Sequence, residues 1–119
     1  MDTTSIGTQM EAEAERFLIA AGLRIVQRNF RGRFGEIDLI ARDGNMLVFV
    51  EVRFRRNRIF GGAGMSVDQR KQRKLLLTAN SYLQLRKLDC PCRFDVISIE
   101  QEGPGKQLKL DWIQNAFGQ

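Results

Sequence analysis

The sequence predicts an α/β (α+β) domain in which helices flank one central mixed sheet. Three observations lead there: two helical stripes each headed by a capping box, two apolar runs between them with the alternation of strands, and an Asp-Gly turn joining those runs. In chain order the elements are helix, three strands, helix and two strands, the layered arrangement of a sheet covered by helices.

Residues 1–8 read as a frayed end. Thr8-Gln9-Met10-Glu11 then matches a capping box, and Ala14, Phe17, Leu18 and Ala21 follow at helical spacing until Gly22 stops the helix. Leu23 to Asn29 reads as a first strand, with Arg31-Gly32-Arg33 as the turn into the second. Ile37, Leu39 and Ile40, then Leu47, Val48, Phe49, Val50 and Val52, form two central strands about the hairpin signal Arg42-Asp43-Gly44-Asn45. Arg55-Arg56-Asn57-Arg58 and Gly61-Gly62-Ala63-Gly64 make a loop, basic at its start and flexible at its end. Ser66-Val67-Asp68-Gln69 is a second capping box, opening a helix through about Lys87 with Leu75, Leu76, Ala79, Tyr82 and Leu83 as its apolar stripe. Arg93 to Ile99 is a fourth strand, Gly103-Pro104-Gly105 a turn, and Leu108 to Ile113 a short last strand.

At 119 residues and 43% hydrophobic content the chain, 1–119, reads as one domain with one packed core. It shows no linker, repeat or signal peptide, and no apolar run approaches the roughly 20 residues of a membrane span. A cytoplasmic protein is expected. Cys90 and Cys92, separated only by Pro91, read as free thiols of a reducing compartment, because so short a bridge would be strained. The absence of histidine removes Ser-His-Asp and Cys-His activation and histidine metal sites. Catalysis would then run on carboxylates, lysine, arginine or a hard divalent cation such as Mg²⁺ or Mn²⁺.

The net charge is +5, but residues 24–74 hold 13 of the 19 Lys and Arg against five acids, Glu36, Asp38, Asp43, Glu51 and Asp68. Side-chain alternation puts Glu36 and Asp38 on one face of their strand, and Glu51 and Arg53 on one face of the next. An even hairpin loop, centred on Asp43-Gly44 or Gly44-Asn45, turns all four to the same side; an odd loop or a bulge separates them. An acidic spot within a basic field suits phosphodiester chemistry, since the surround attracts the backbone while the carboxylates hold a cation. The plainer alternative is a solvated strand face with ion pairs from Asp38 and Glu51 to Arg33 or Arg53, and Glu36 paired with a neighbouring arginine. Arg70, Lys71, Arg73 and Lys74 load the start of the second helix, where cations oppose the macrodipole, so something other than stability accounts for them. Asp95 reads as a structural residue, and Trp112 and Tyr82 as core or rim residues. No aromatic platform for bases is evident.

Several segments together resemble one family. They are Glu11-x-x-Ala14-x-x-x-Leu18-x-x-x-Gly22, Arg28-Asn29-Phe30, Gly35-Glu36-Ile37-Asp38-Leu39-Ile40, Phe49-Val50-Glu51-Val52-Arg53, Lys71-Gln72, Arg93-Phe94-Asp95-Val96 and Ile113-Gln114-Asn115-Ala116-Phe117. In this order they resemble the YraN-like or UPF0102 family, which is similar in fold to the PD-(D/E)XK nuclease superfamily near the archaeal Holliday-junction resolvases. The resemblance implies a restriction-endonuclease-like αβββαβ core, metal-binding acids at Asp38 and Glu51, a helix-borne acid at Glu11, and the motif's basic residue at position 53. Glu11 has a competing explanation as the capping partner of Thr8. The superfamily pattern has lysine where this chain has Arg53. Arginine in effect keeps its proton, so it can stabilise charge but not activate water, and Lys71 is the candidate for a migrated amine.

These readings lead to a Mg²⁺- or Mn²⁺-dependent endonuclease-like domain acting on DNA, with Asp38, Glu51 and Arg53 catalytic and Asp38, Glu51 and Glu11 at the metal. Arg55, Arg56, Arg58, Arg70, Lys71 and Lys74 would hold the nucleic acid. The alternative is a DNA- or RNA-binding module that keeps the nuclease fold without turnover, and a weaker one is a protein-interaction adaptor. A homodimer is expected by analogy with the resolvases.

Overall fold

A computed structural model describes residues 3–55, 68–102 and 107–117. The elements are helix α1 (Thr3–Ala20), strands β1 (Arg24–Arg31), β2 (Glu36–Asp43) and β3 (Met46–Arg55), helix α2 (Gln69–Arg86), and strands β4 (Cys92–Glu102) and β5 (Gln107–Phe117). They form the expected mixed sheet, in the order β1-β2-β3-β4-β5. Only β3 and β4 pair in parallel, because α2 carries the chain across between them; the other neighbours are antiparallel.

The two helices cover opposite faces. Met10, Ala14 and Leu18 of α1, spaced four apart, pack with Leu39, Ala41, Val48, Val50, Ile97 and Ile99. On the other face Leu75, Ala79 and Tyr82 of α2 pack with Ile40, Leu47, Phe49, Phe94 and Phe117. There Phe49, Phe94 and Phe117 stack at 5.3 and 4.9 Å, and Tyr82 meets Phe30 and Phe49 edge-on. Alternate residues of β2 and β3 thus feed two apolar layers, which explains the near-continuous hydrophobic run of β3.

Three local expectations are corrected. Helix α1 begins at Thr3, not at the capping box: Ile6 packs onto the α1-side core, and that burial favours a further turn ahead of Thr8. Phe17 and Leu76, assigned to buried stripes, are 38% and 37% exposed, since the buried faces centre on Leu18 and on Leu75, Thr78 and Ala79. Asp68 caps α2; its carboxylate accepts the Lys71 N–H at 2.8 Å. The Gly103-Pro104-Gly105 turn, the Gly61–Gly64 segment, Ser66, Arg56 and Arg58 lie outside the described residues.

Strand β5 runs beyond the expected Ile113 to Phe117. Its register with β4 shifts between Phe94 and Val96, and Asn115 adopts φ 52° there. Asp95, fully buried, accepts the Asn115 N–H and the Trp112 Nε1–H, each at 2.9 Å, and Nε–H of Arg93 at 3.0 Å. The structural role expected of Asp95 is the one it performs. Cys90 and Cys92 are free. Among the described residues, no helix is long and apolar enough to cross a membrane.

Candidate functional site

The site begins with a hairpin register. Strands β2 and β3 pair from Asp43–Met46 to Leu39–Val50 around the two-residue turn Gly44-Asn45, with Gly44 at φ 62°. This is one of the two even loops, and it makes Asp38 and Glu51 the next residues along the ladder. Strict alternation ends here, because Ile37 and Ile40, three apart, both join the α2-side core. At this end of the ladder Oδ2 of Asp38 accepts the Val52 N–H at 2.8 Å.

Asp38 and Glu51 open with Glu36 onto one cavity of about 530 Å³, whose far wall is the start of α2 with Asp68, Arg70, Lys71 and Lys74. Nζ of Lys71 forms an ion pair with Oε2 of Glu51. The Glu51 side chain is only 8% exposed, whereas that of Lys71 is 49% exposed, so the contact joins a nearly buried anion to a cation at the cavity mouth. Burial, above all, pushes the Asp38 carboxyl up to about 7; the Val52 N–H opposes the rise, and the nearby Glu51, Glu11 and Glu36 carboxylates add to it. This carboxyl therefore gives up its proton far less readily than an ordinary aspartate.

With this geometry in hand, comparison with known proteins places the chain. The family model described as "Uncharacterised protein family UPF0102" matches residues 10–99. The chain belongs to the UPF0102 family. A UPF0102 protein of Dechloromonas aromatica is 52% identical over 115 residues, covering 97% of this chain and 90% of that protein. One from Methylobacillus flagellatus is 47% identical over 112 residues, covering 94% and 96%. Another, from Symbiobacterium thermophilum, is 50% identical over 113 residues, covering 94% and 95%. Every residue that lines the cavity falls within the span matched to the UPF0102 model.

Within this UPF0102 chain the expected site residues do not all meet. Glu36 lines the cavity and also accepts from Arg31 at 3.1 Å. Arg53, half-buried on β3, does not line it. Glu11 is half-buried on α1, a helix on the opposite face from α2, with its side chain bonded to that of Asn29. Burial raises its carboxyl above the ordinary value, with Glu36 adding to the rise. Because α1 starts at Thr3, the proposed capping partnership with Thr8 is also absent. Among the described residues no group of three or more His, Cys, Asp or Glu side chains is gathered closely enough to hold a metal, so the expected trio Asp38, Glu51 and Glu11 is not assembled. Asp38 and Glu51 line the cavity and Glu11, though near enough for its charge to act on Asp38, does not.

Of the expected nucleic-acid contacts, Arg70, Lys71 and Lys74 line the cavity, and Arg55 is half-buried at the end of β3, across from Glu100. Sequence reasoning missed Asp68 as a wall of the cavity and Phe34 as an exposed aromatic lining a hollow beside it. An aromatic between Arg33 and Gly35 in a turn was a legible signal for the latter.

Proposed function

We propose that this protein is a divalent-metal-dependent, nuclease-like domain acting on DNA phosphodiesters. One observation carries the reading: two carboxylates from adjacent strands, Asp38 and Glu51, open onto a cavity whose opposite wall is cationic, with the Lys71 amine held on Glu51. The resemblance to the PD-(D/E)XK superfamily and the Asp38, Glu51 spacing support it.

Mg²⁺ or Mn²⁺ suits these residues. The donors are carboxylate oxygens, and burial together with neighbouring negative charge raises the Asp38 carboxyl to about 7, so a cation would relieve a repulsion that the fold leaves in place. Asp38 and Glu51 would hold it, Mg²⁺ commonly needing only one or two protein carboxylates. When bound, the cation supplies charge that polarises the phosphodiester and acidifies an adjacent water. Lys71 brings a positive charge to the same carboxylate and stabilises negative charge developing on the phosphate. It thereby takes the part that Arg53, outside the cavity, is poorly placed to play. Arg70 and Lys74 bind the flanking phosphates.

Incubation of the purified protein with branched, single-stranded and duplex DNA plus Mg²⁺ or Mn²⁺ tests the proposal. Cleavage that is lost in Asp38→Ala is expected. No cleavage by the natural protein, or equal cleavage by the variant, overturns it. A second reading, a binding module without turnover, draws on the arginine at position 53 and its position outside the cavity. It predicts salt-sensitive DNA binding without cleavage by the natural protein.

A further inference from the structure

The turn between β1 and β2 bears an aromatic side chain where a solvated residue is ordinary. Phe34 is 42% exposed, while Phe30, Phe49, Phe94 and Phe117 are buried in the core. Phe17, also exposed, leans edge-on against Trp112 at 5.7 Å. Phe34 has a contact of another kind: the Arg33 guanidinium stands 5.8 Å from its ring centroid.

The turn is also firmly backed. The Gly32 N–H donates to the Gly35 carbonyl at 2.8 Å. Thr78 of α2, fully buried, lies behind both glycines, 3.5 and 3.6 Å from where a Cβ on Gly32 or Gly35 would stand. Gly35 holds φ 156°, at the edge of the region that disfavours side chains. Phe34 is thus presented outward by a turn that rests on a helix.

Its position gives the ring a use. An open hollow of about 380 Å³ is formed by Arg31, Arg33, Phe34 and their neighbours, and Gly35 and Glu36 line both this hollow and the carboxylate cavity. The two arginines are exposed and suit phosphates, while the ring suits a flat apolar face. In a continuous duplex each base face is already stacked on its neighbours and only base edges are offered. An exposed ring gains from a base only where the stack is interrupted.

We propose that Phe34 is a stacking platform for an unpaired nucleobase, so that the adjoining carboxylate cavity engages DNA at a flap, gap or single-stranded stretch. This rests on the nuclease-like reading above and names its substrate class.

The test is fluorescence anisotropy with full-length protein in EDTA, using two DNAs of the same sequence, one fully paired and one with a single-stranded flap. The natural protein is expected to favour the flap. Phe34→Ala and Phe34→Leu are expected to weaken flap binding about five- to fifty-fold while paired-duplex binding stays within about two-fold, and Phe34→Trp is expected to keep the preference. Leucine retains apolar bulk without a π-face, so its loss separates stacking from simple packing. Unchanged flap binding in Phe34→Ala, or equal losses on both DNAs, overturns the platform alone if the natural protein still binds and cleaves DNA. Should the natural protein bind neither DNA, the reading of the cavity fails and the platform with it.

Discussion

Lys71 makes two contacts at the start of α2: its backbone N–H is taken by the Asp68 carboxylate, and its amine by the Glu51 carboxylate of β3. The residue that helps cap the helix therefore also pins the helix to the sheet at the candidate site. No acidic residue lies in the first turn of α2, where Arg70 and Lys71 oppose the macrodipole. A mildly unfavourable helix end is the cost of a cationic cavity wall.

Lys71→Met is expected to leave Glu51 nearly buried without this amine and to lower stability by about 1–2 kcal/mol, less than for a fully buried pair because Lys71 is half-exposed. Urea unfolding measures it. Mg²⁺ competes with the amine for the same carboxylate, so added Mg²⁺ is expected to raise the melting temperature of Lys71→Met more than that of the natural protein. An equal Mg²⁺ response in both would remove Glu51 from the ligand set.

Asp38 gives a pH signature with a definite sign. Its carboxyl sits at about 7 in the fold against 3.8 ordinarily, so between those values the folded state holds a proton that the unfolded state releases. The stability contributed by that proton is complete below the lower value and is lost as pH rises through the upper one. Asp38→Asn keeps an acceptor for the Val52 N–H and abolishes the titration. The variant is expected to be more stable than the natural protein at pH 8, by about 1–2 kcal/mol after allowance for partial exposure, and equal to it near pH 4. Thermal melts across that range check this, and a difference independent of pH would contradict it.

The convergence of Asp38 and Glu51 was legible because it follows from two local rules, the period of two along a strand and a two-residue Gly44-Asn45 turn. The cap of α2 was less so. Ser66 and Asp68 both stand ahead of the helix, and only the backbone path decides which carboxylate or hydroxyl meets the free N–H groups. The Lys71–Glu51 contact joins residues twenty apart through the packing of α2 on the sheet, and no local pattern encodes it. Likewise, where Glu11 stands relative to the cavity depends on how α1 packs on the sheet, which its own periodicity leaves open.

Arg70 and Lys74, on the cavity wall, are exposed and make phosphate contacts under the proposed function. Each phosphate neutralised releases condensed counterions, so removal of both side chains acts on the salt dependence before the chemistry. The double variant Arg70→Ala with Lys74→Ala is expected to reduce the slope of log affinity against log salt by about 2, with similar loss on DNAs of different sequence. A loss confined to one sequence would assign these residues to base recognition instead.

Asp95 provides the opposite case, an acid in the sheet whose consequences are structural. It is fully buried and satisfies donors from Arg93, Trp112 and Asn115, while Arg93 reaches on to Asp43 at 3.1 Å. Asp95→Ala strands these donors and a largely buried guanidinium, so a loss of about 3–5 kcal/mol is expected, read by urea unfolding. Asp95→Asn retains one acceptor oxygen but turns an NH₂ group toward donors, which places it between alanine and the natural residue. Asp95 does not line the carboxylate cavity. The asparagine variant, while folded, is therefore expected to keep the Mg²⁺-induced stabilisation that Asp38→Asn loses. Retained stability with a lost Mg²⁺ response would instead make Asp95 a ligand, and would move the candidate metal site one strand across the sheet.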